Sequence, residues 1–426
     1  MSDSFSAVKV TDRVYWVGAI DWELRDFHGY SVQRGSTYNA YLVLAEKIAL
    51  IDTVKAPFFD QMLARIASVV DPAKVAYVIA NHAEMDHSGA LPQVIERLKP
   101  EKVIASNAGV KALADHFHLG QGITGVKDGE TLSLGNAALS FVAAPMLHWP
   151  ESMLTYLAED RLLFSNDAFG MHLASSKRFA DEIPEWILDY EASRYFANIL
   201  LPYSALVTKL LDKVAKLGIA IDIIAPSHGP IWRPFRTPRV PSAPLRAGLQ
   251  GPRGADPGWI ASRYATWAAG PPTEKAVIVY DTMWHSTELM AHAIAEGVAA
   301  GGATASVMPL RGSHRSDVAQ EMLGAGALLV GSPTLNNGML PAVADVLTYL
   351  KGLKPRVGLG AAFGSYGWSG EAQAQMEEVL RAMNVELIRE PLKVRYVPDQ
   401  AALAECFALG QQVADRLKSQ TAPAGS

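Results

Sequence analysis

Within six residues, His82-Ala-Glu84-Met-Asp86-His87, the chain offers two imidazoles and two carboxylates. The stretch directly follows the apolar run VAYVIA (75–80), so a loop at the end of a buried strand would carry these side chains toward one point. Further donors stand at His148 in APMLHWP, Asp167 in LLFSNDAFG and His228 in IAPSHGP, and each again follows an apolar run. One such residue alone reads most simply as a turn or cap with satisfied hydrogen bonds. Repeated at the ends of several strands, the pattern reads as a metal site, because neighbouring strands bring their ends together.

His82, His148 and His228 supply three imidazoles, and Glu84, Asp86 and Asp167 supply three carboxylates. The order and spacing resemble the metallo-β-lactamase superfamily, whose zinc hydrolases commonly carry H-x-H-x-D-H. Here Glu84 replaces the second histidine of that motif. More carboxylate oxygen makes a harder site, which favours iron or manganese over zinc, although zinc also accepts carboxylates. A carboxylate can bridge two metals, and Asp167 is the candidate bridge.

These donors need a scaffold, and 426 residues exceed one ordinary hydrophobic core, so two domains are expected. Hydrophobic residues at 49% and charged residues at 19% fit a globular chain. A formal net charge of -5 lacks the basic face of a general nucleic-acid binder. No run of about 18 apolar residues suggests a membrane span, and no signal peptide is visible, so the expected address is the cytoplasm. The lone Cys406 excludes cysteine-clustered metal sites and reads as a small buried hydrophobe on a helix. Residues 1–232 mix short strands with helical patterns at 58–70, 91–98 and 192–217. Residues 233–272 form a linker rich in Pro, Gly and Arg, with a short helix at 259–270. Residues 273–420 alternate strand and helix in the rhythm of a doubly wound parallel sheet.

H-x-E-x-D, then separated His, Asp and His, then such a sheet, resembles the flavodiiron proteins (A-type flavoproteins) over nearly the whole chain. The resemblance implies an α/β protein: an N-terminal metallo-β-lactamase-like αββα sandwich and a C-terminal flavodoxin-like doubly wound parallel sheet. It implies two iron ions per chain. His82, Glu84, His148 and Asp167 match the ligands of the first; Asp86, Asp167 and His228 match those of the second. It leaves His87 outside the set, although the matching residue is a ligand in the zinc hydrolases. His28 in DFHGY and Tyr195 in EASRYFANIL match residues beside the open face of the metals, where they donate hydrogen bonds or protons.

The same resemblance implies FMN in the second domain. Three loops follow expected strands, where open α/β sheets bind ligands. In the first, Thr282, Ser286 and Thr287 offer hydroxyls beside a helix start, suited to a phosphate, with Met283 and Trp284 between them. The second contributes Pro333, Thr334, Leu335, Asn336 and Asn337. The third contributes Ser365, Tyr366, Gly367, Trp368 and Ser369, where Tyr366 or Trp368 could stack on a planar ring. No G-x-x-x-x-G-K-[ST] occurs, which lowers the nucleoside triphosphate reading.

The activity implied is reduction of dioxygen to water, of nitric oxide to nitrous oxide, or both. Electrons would arrive through FMN from a separate rubredoxin, flavodoxin-like carrier or reductase. A head-to-tail homodimer or a dimer of dimers is implied, with no nucleic acid or membrane partner. Two rivals are a zinc hydrolase fused to a flavodoxin module, with His87 as ligand, and a pure electron-transfer flavoprotein. Arginines 236, 239, 246, 253 and 263 either dock an acidic carrier or belong to a solvated loop.

Overall fold

The computed structural model describes residues 5–118, 122–234 and 256–421. The chain divides into two compact units, Met1–Tyr195 with Ala205–Ala265 and Phe196–Ser204 with Thr266–Ser426. Arg236, Arg239, Arg246 and Arg253 lie outside the described residues. Arg263 sits on the helix Pro257–Ala269, its Nε 3.1 Å from Asp189 Oδ1.

Two sheets build the first unit. The seven-stranded sheet runs Val8–Lys9, Val14–Trp16, Tyr41–Val43, Ile48–Ile51, Val75–Ala80, Lys102–Ser106, Ile123–Val126. Its last four strands are parallel. The five-stranded sheet runs Thr131–Ser133, Ala138–Ala143, Met153–Leu157, Leu162–Asn166, Ile223–Pro226. Alternation along each strand sends Tyr41, Ile51, Ile79, Phe141, Leu157 and Phe164 into one core between the sheets. Leu42, Leu50 and Val78 point the other way and meet Met62 and Ile66 of the helix Phe59–Ala67, and Leu91 and Val94 of the helix Leu91–Leu98. The strand Val75–Ala80 is thus buried on both faces, which is why it reads as an unbroken apolar run. Each such side chain stabilises the fold by roughly 1.5–3 kcal/mol. Beyond the second sheet lies the helix Ser204–Leu217, whose Lys213 Nζ donates to Ala143 O at 3.0 Å. The layers are the αββα sandwich expected.

The sequence pattern suggested one helix over 192–217, and the structure corrects this. The α-helix Glu185–Tyr195 passes into a π-helical turn, Phe196–Leu200, then a 3₁₀ turn, Leu201–Tyr203, before Ser204–Leu217 begins. Pro202 lacks the N–H that a continuing helix would need.

The second unit is one sheet, with Thr304–Pro309, Lys275–Tyr280, Ala327–Gly331, Leu359–Tyr366 and Glu386–Leu387 in spatial order. All neighbours are parallel. Order 2-1-3-4-5 is that of flavodoxin-like sheets, which bind ligands where the winding reverses. The reversal falls at the ends of Lys275–Tyr280 and Ala327–Gly331. Two short strands follow, Glu386–Leu387 and Leu392–Arg395, separated by a stretch that ends at Pro391; the second also pairs with Leu359–Tyr366.

Candidate functional site

The loop after Val75–Ala80 is pinned before it reaches its chemistry. Asn81 N and Nδ2 donate to Asp52 Oδ1 and Oδ2 at 2.7 and 3.0 Å, and Thr155 Oγ1 donates to Asn81 Oδ1 at 2.6 Å. His82 and Glu84 follow, and Asp86 and His87 ride the one-turn helix Met85–Ser88. Two groups of donors result. His82, Glu84, His148 and Asp167 form one, and Asp86, His87 and His228 the other; within each, the donor atoms lie within 4.8 Å of one another.

Asp167 faces both. Its Oδ2 is 3.5 Å from His82 Nε2 and 3.2 Å from His148 Nε2. Its Oδ1 is 3.2 Å from His87 Nε2 and 3.6 Å from His228 Nε2. Glu84 Oε2 closes the first group at 3.2 Å from His148 Nε2. Asp86 closes the second, 3.3 Å from His87 Nε2 and 3.1 Å from His228 Nε2. His87, which the resemblance left out, therefore stands among the donors. Its place on the same turn as Asp86 turns the ring inward, with its side chain 1% exposed.

Backbone and carboxylate partners fix two tautomers. His228 Nδ1 donates to the carbonyl of Thr37 at 2.6 Å, which leaves Nε2 bare on the side of the donor group. His82 Nδ1 donates to Glu151 Oε1 at 2.8 Å, with the same result. Both oxygens of Asp86, both nitrogens of His87 and Asp167 Oδ1 are buried without a hydrogen-bond partner. Buried polar atoms without partners are costly. A donor set of imidazole and carboxylate, converging and unsatisfied, is what a pair of cations would complete.

Burial alone would push the His148 and His87 imidazoles down, but their carboxylate neighbours hold both up to about 10. Burial would raise Asp167, yet His87 and His148 hold its carboxyl well below the usual range.

His28 and Tyr195 differ in kind. His28 has a 76% exposed side chain, and its Nε2 lies 3.3 Å from Glu84 Oε1. Tyr195 is 1% exposed, its ring 6.2 Å from that of His228. Burial raises its hydroxyl pKa well above the ordinary value, so it stays protonated. Sequence reasoning missed His172 and Glu151. His172 is buried, its Nδ1 2.8 Å from Ser36 Oγ and its ring 4.8 Å from that of His228. The available signals were its position just beyond Asp167, and for Glu151 a carboxylate three residues after His148.

In the second unit a cleft of about 650 Å³ opens at the winding reversal. Met283, Trp284, Ser286, Pro333, Thr334, Asn336, Asn337, Ser365, Tyr366, Gly367, Trp368 and Ser369 line it. Tyr396 and Val397 line it too and were not foreseen. Thr282, Thr287 and Leu335 are not in its wall. Thr282, Thr287 and Thr334 nevertheless each bury a hydroxyl with no partner. The helix Ser286–Ala300 begins there with no side-chain cap, so its first N–H groups remain for an anion. Trp284 and Trp368, 86% and 88% exposed, stand at the cleft as broad apolar faces. Unsatisfied hydroxyls, a bare helix start and exposed aromatics suit a phosphorylated planar ring.

Comparison with known proteins agrees with this division. Residues 37–229 match the ODP family beta lactamase model, and residues 278–410 the flavodoxin model. The nitric oxide reductase of Moorella thermoacetica is 46% identical, covering 96% of this chain and 98% of its own. The solved rubredoxin oxygen:oxidoreductase of Desulfovibrio gigas superposes with a TM-score of 0.91 at 43% identity, covering 98% of this chain and 100% of that one. The flavodiiron protein of Giardia intestinalis gives 0.90 at 31% identity, covering 99% and 98%.

Proposed function

Since the chain belongs to the flavodiiron protein family, we propose that it reduces dioxygen to water, nitric oxide to nitrous oxide, or both, using electrons relayed by FMN. The observation that carries this is Asp167, whose two oxygens face two separate donor groups. Dioxygen takes four electrons and four protons to give two waters; two nitric oxides take two of each to give nitrous oxide and one water. Two irons held by these donors would supply electrons in pairs, and FMN held in the second unit would pass on electrons from an external donor.

His82, Glu84, His148 and Asp167 would hold one iron, and Asp86, His87, His228 and Asp167 the other. Thr37 O and Glu151 keep the Nε2 atoms of His228 and His82 free for this task. Buried Tyr195, held protonated, offers a hydrogen bond. His28, exposed and 3.3 Å from Glu84, would pass protons from solvent. Thr282, Ser286, Thr287 and the helix start would hold the FMN phosphate, with the second and third loops around the ring.

His87 would serve a zinc hydrolase equally well, so it does not separate the two readings. Glu84 does, because the added carboxylate makes a harder donor set that favours iron. A separate rubredoxin, flavodoxin-like carrier or reductase as donor, a head-to-tail homodimer or dimer of dimers, and a cytoplasmic location complete the proposal. So do domain limits of 1–232 and 273–420 about a linker. No helix among the described residues is long and apolar enough to cross a membrane.

Metal and flavin analysis, followed by anaerobic reduction and separate additions of dioxygen and nitric oxide, tests the proposal. It expects two irons and one FMN per chain and rapid reoxidation by at least one gas. Zinc with no gas-driven reoxidation overturns it.

A further inference from the structure

The cleft of the second unit is walled by loops from different strands, and one helix ties two of them together. The helix Glu371–Ala382 starts directly after the third loop, so its first turn is fixed to that loop by the chain itself. From the first five residues of this helix, two glutamines reach the second loop at its two ends. Gln373, fully buried, donates from Nε2 to Ser332 O at 3.0 Å, where the second loop begins. Gln375 takes hold where it ends: its Nε2 donates to Asn337 O at 3.2 Å, and its Oε1 accepts from Met339 N at 3.1 Å.

What lies between those ends is a turn that needs support. Leu335 and Gly338 exchange backbone hydrogen bonds at 2.9 and 3.0 Å around Asn336 and Asn337. Both asparagines have left-handed backbones, φ 49° and 60°. Asparagine tolerates that conformation better than most residues, yet two in succession make a tight two-residue reversal. The side-chain amide of Gln375 pairs with the backbone on either side of Gly338 as a neighbouring strand would.

Two glycines show how closely the parts fit. Gly364, at φ 154°, leads into the third loop; a Cβ there would fall 1.9 Å from Ser332 O and 2.7 Å from Gln373 Nε2. A Cβ at Gly338 would lie 3.0 Å from Gln375 Oε1. The absent side chains are what let the glutamines reach the backbone. Backbone bonds complete the junction, from Ser332 N to Phe363 O and from Thr334 N to Ser365 O, both 3.1 Å.

We propose that Gln373 and Gln375 are positioning residues for the flavin. They lock the second and third loops into one rigid wall, and so set both the affinity for FMN and its reduction potential. This rests on the FMN reading of the cleft. Neither glutamine needs to touch the flavin: Gln373 is enclosed in protein, and Gln375 acts on the loop from behind Gly338. The loop 333–337 is what they hold in place, and its Pro333, Thr334, Asn336 and Asn337 line the cleft.

Gln375 is exposed, so Gln375→Leu removes two hydrogen bonds without opening the core. The full-length chain, stripped of flavin, is titrated with FMN by fluorescence, and the reloaded protein is reduced anaerobically against dyes of known potential. Q375L is expected to weaken FMN binding about 10-fold. Its two-electron midpoint potential should shift by about 30 mV, the equivalent of a tenfold difference between the affinities for the two oxidation states. Q375E keeps the acceptor for Met339 N and loses the donor to Asn337 O, so its FMN affinity should fall between. Glu378→Gln, exposed on the same helix, should match wild type in both readouts. Wild-type affinity and potential in Q375L overturn the inference. A weakened affinity with an unmoved potential overturns the positioning role as well, since scaffolding alone would give that. Failure of the wild-type chain to take up FMN sinks the flavin reading itself and this inference with it.

Discussion

A single oxygen of Glu151 serves His82 twice over: it accepts from His82 Nδ1 at 2.8 Å and from the next backbone N–H, that of Ala83, at 3.0 Å. Ring and peptide are thus held by one buried carboxylate, itself 4% exposed. The ring cannot turn without breaking one bond, and the loop cannot shift without breaking the other. Glu151→Ala should lower metal affinity by roughly 10–100-fold, read by competition with a chelator, while FMN content stays at the wild-type level. Glu151→Gln keeps an acceptor oxygen and should retain more of the metal. Equal metal affinity in all three proteins would show that this carboxylate does not orient the ligand.

Metal loading should release protons. In the metal-free site, burial lowers the His87 and His148 imidazoles, but carboxylates outweigh it and lift both to about 10. A pKa raised that far leaves both rings protonated at neutral pH, and a metal must displace those protons to bind. Calorimetry in buffers of different ionisation enthalpy should therefore show at least two protons leaving per chain, and affinity should fall as pH falls. Uptake without proton release would contradict the carboxylate-held histidines.

Asp167→Asn removes the carboxylate that faces both donor groups. Because Oδ1 and Oδ2 serve different groups, the loss should strike both positions together rather than one. Iron content should drop well below two per chain with flavin content unchanged. Retention of both irons would remove Asp167 from its bridging place.

Thr287 buries its hydroxyl completely and finds no protein partner for it. If that hydroxyl awaits a phosphate, Thr287→Val should weaken FMN binding about 10-fold and leave riboflavin, which has no phosphate, nearly unaffected. Fluorescence titration with both flavins decides the matter. A parallel loss for the two would point to a packing defect.

Much of this was legible because buried parallel strands announce themselves. Val75–Ala80 is apolar without interruption and Leu162–Asn166 opens on Leu162, Leu163 and Phe164, so the polar residues that follow these runs stand out, and His82 and Asp167 were found that way. Glu151 and His172 were not, because what gives them meaning is a partner 69 or 136 residues away. His87 needed the turn of Met85–Ser88 to show which way its ring faces. Tyr396 and Val397 were missed for another reason. A break at Pro391 starts a second short strand, Leu392–Arg395, and that strand carries the chain to the cleft. Pro202 similarly ended a helix that periodicity alone would have carried through.

Asp167 and His228 ride neighbouring parallel strands, Leu162–Asn166 and Ile223–Pro226, and a parallel partner arrives only after a long crossover. Along the polypeptide, the donors of the first group are complete at residue 167, whereas the second group waits for residue 228. A chain growing from its N-terminus therefore owns one whole group of donors while the other is still missing a histidine. Asp167 faces both groups in space, but the ribosome delivers the two groups one after the other.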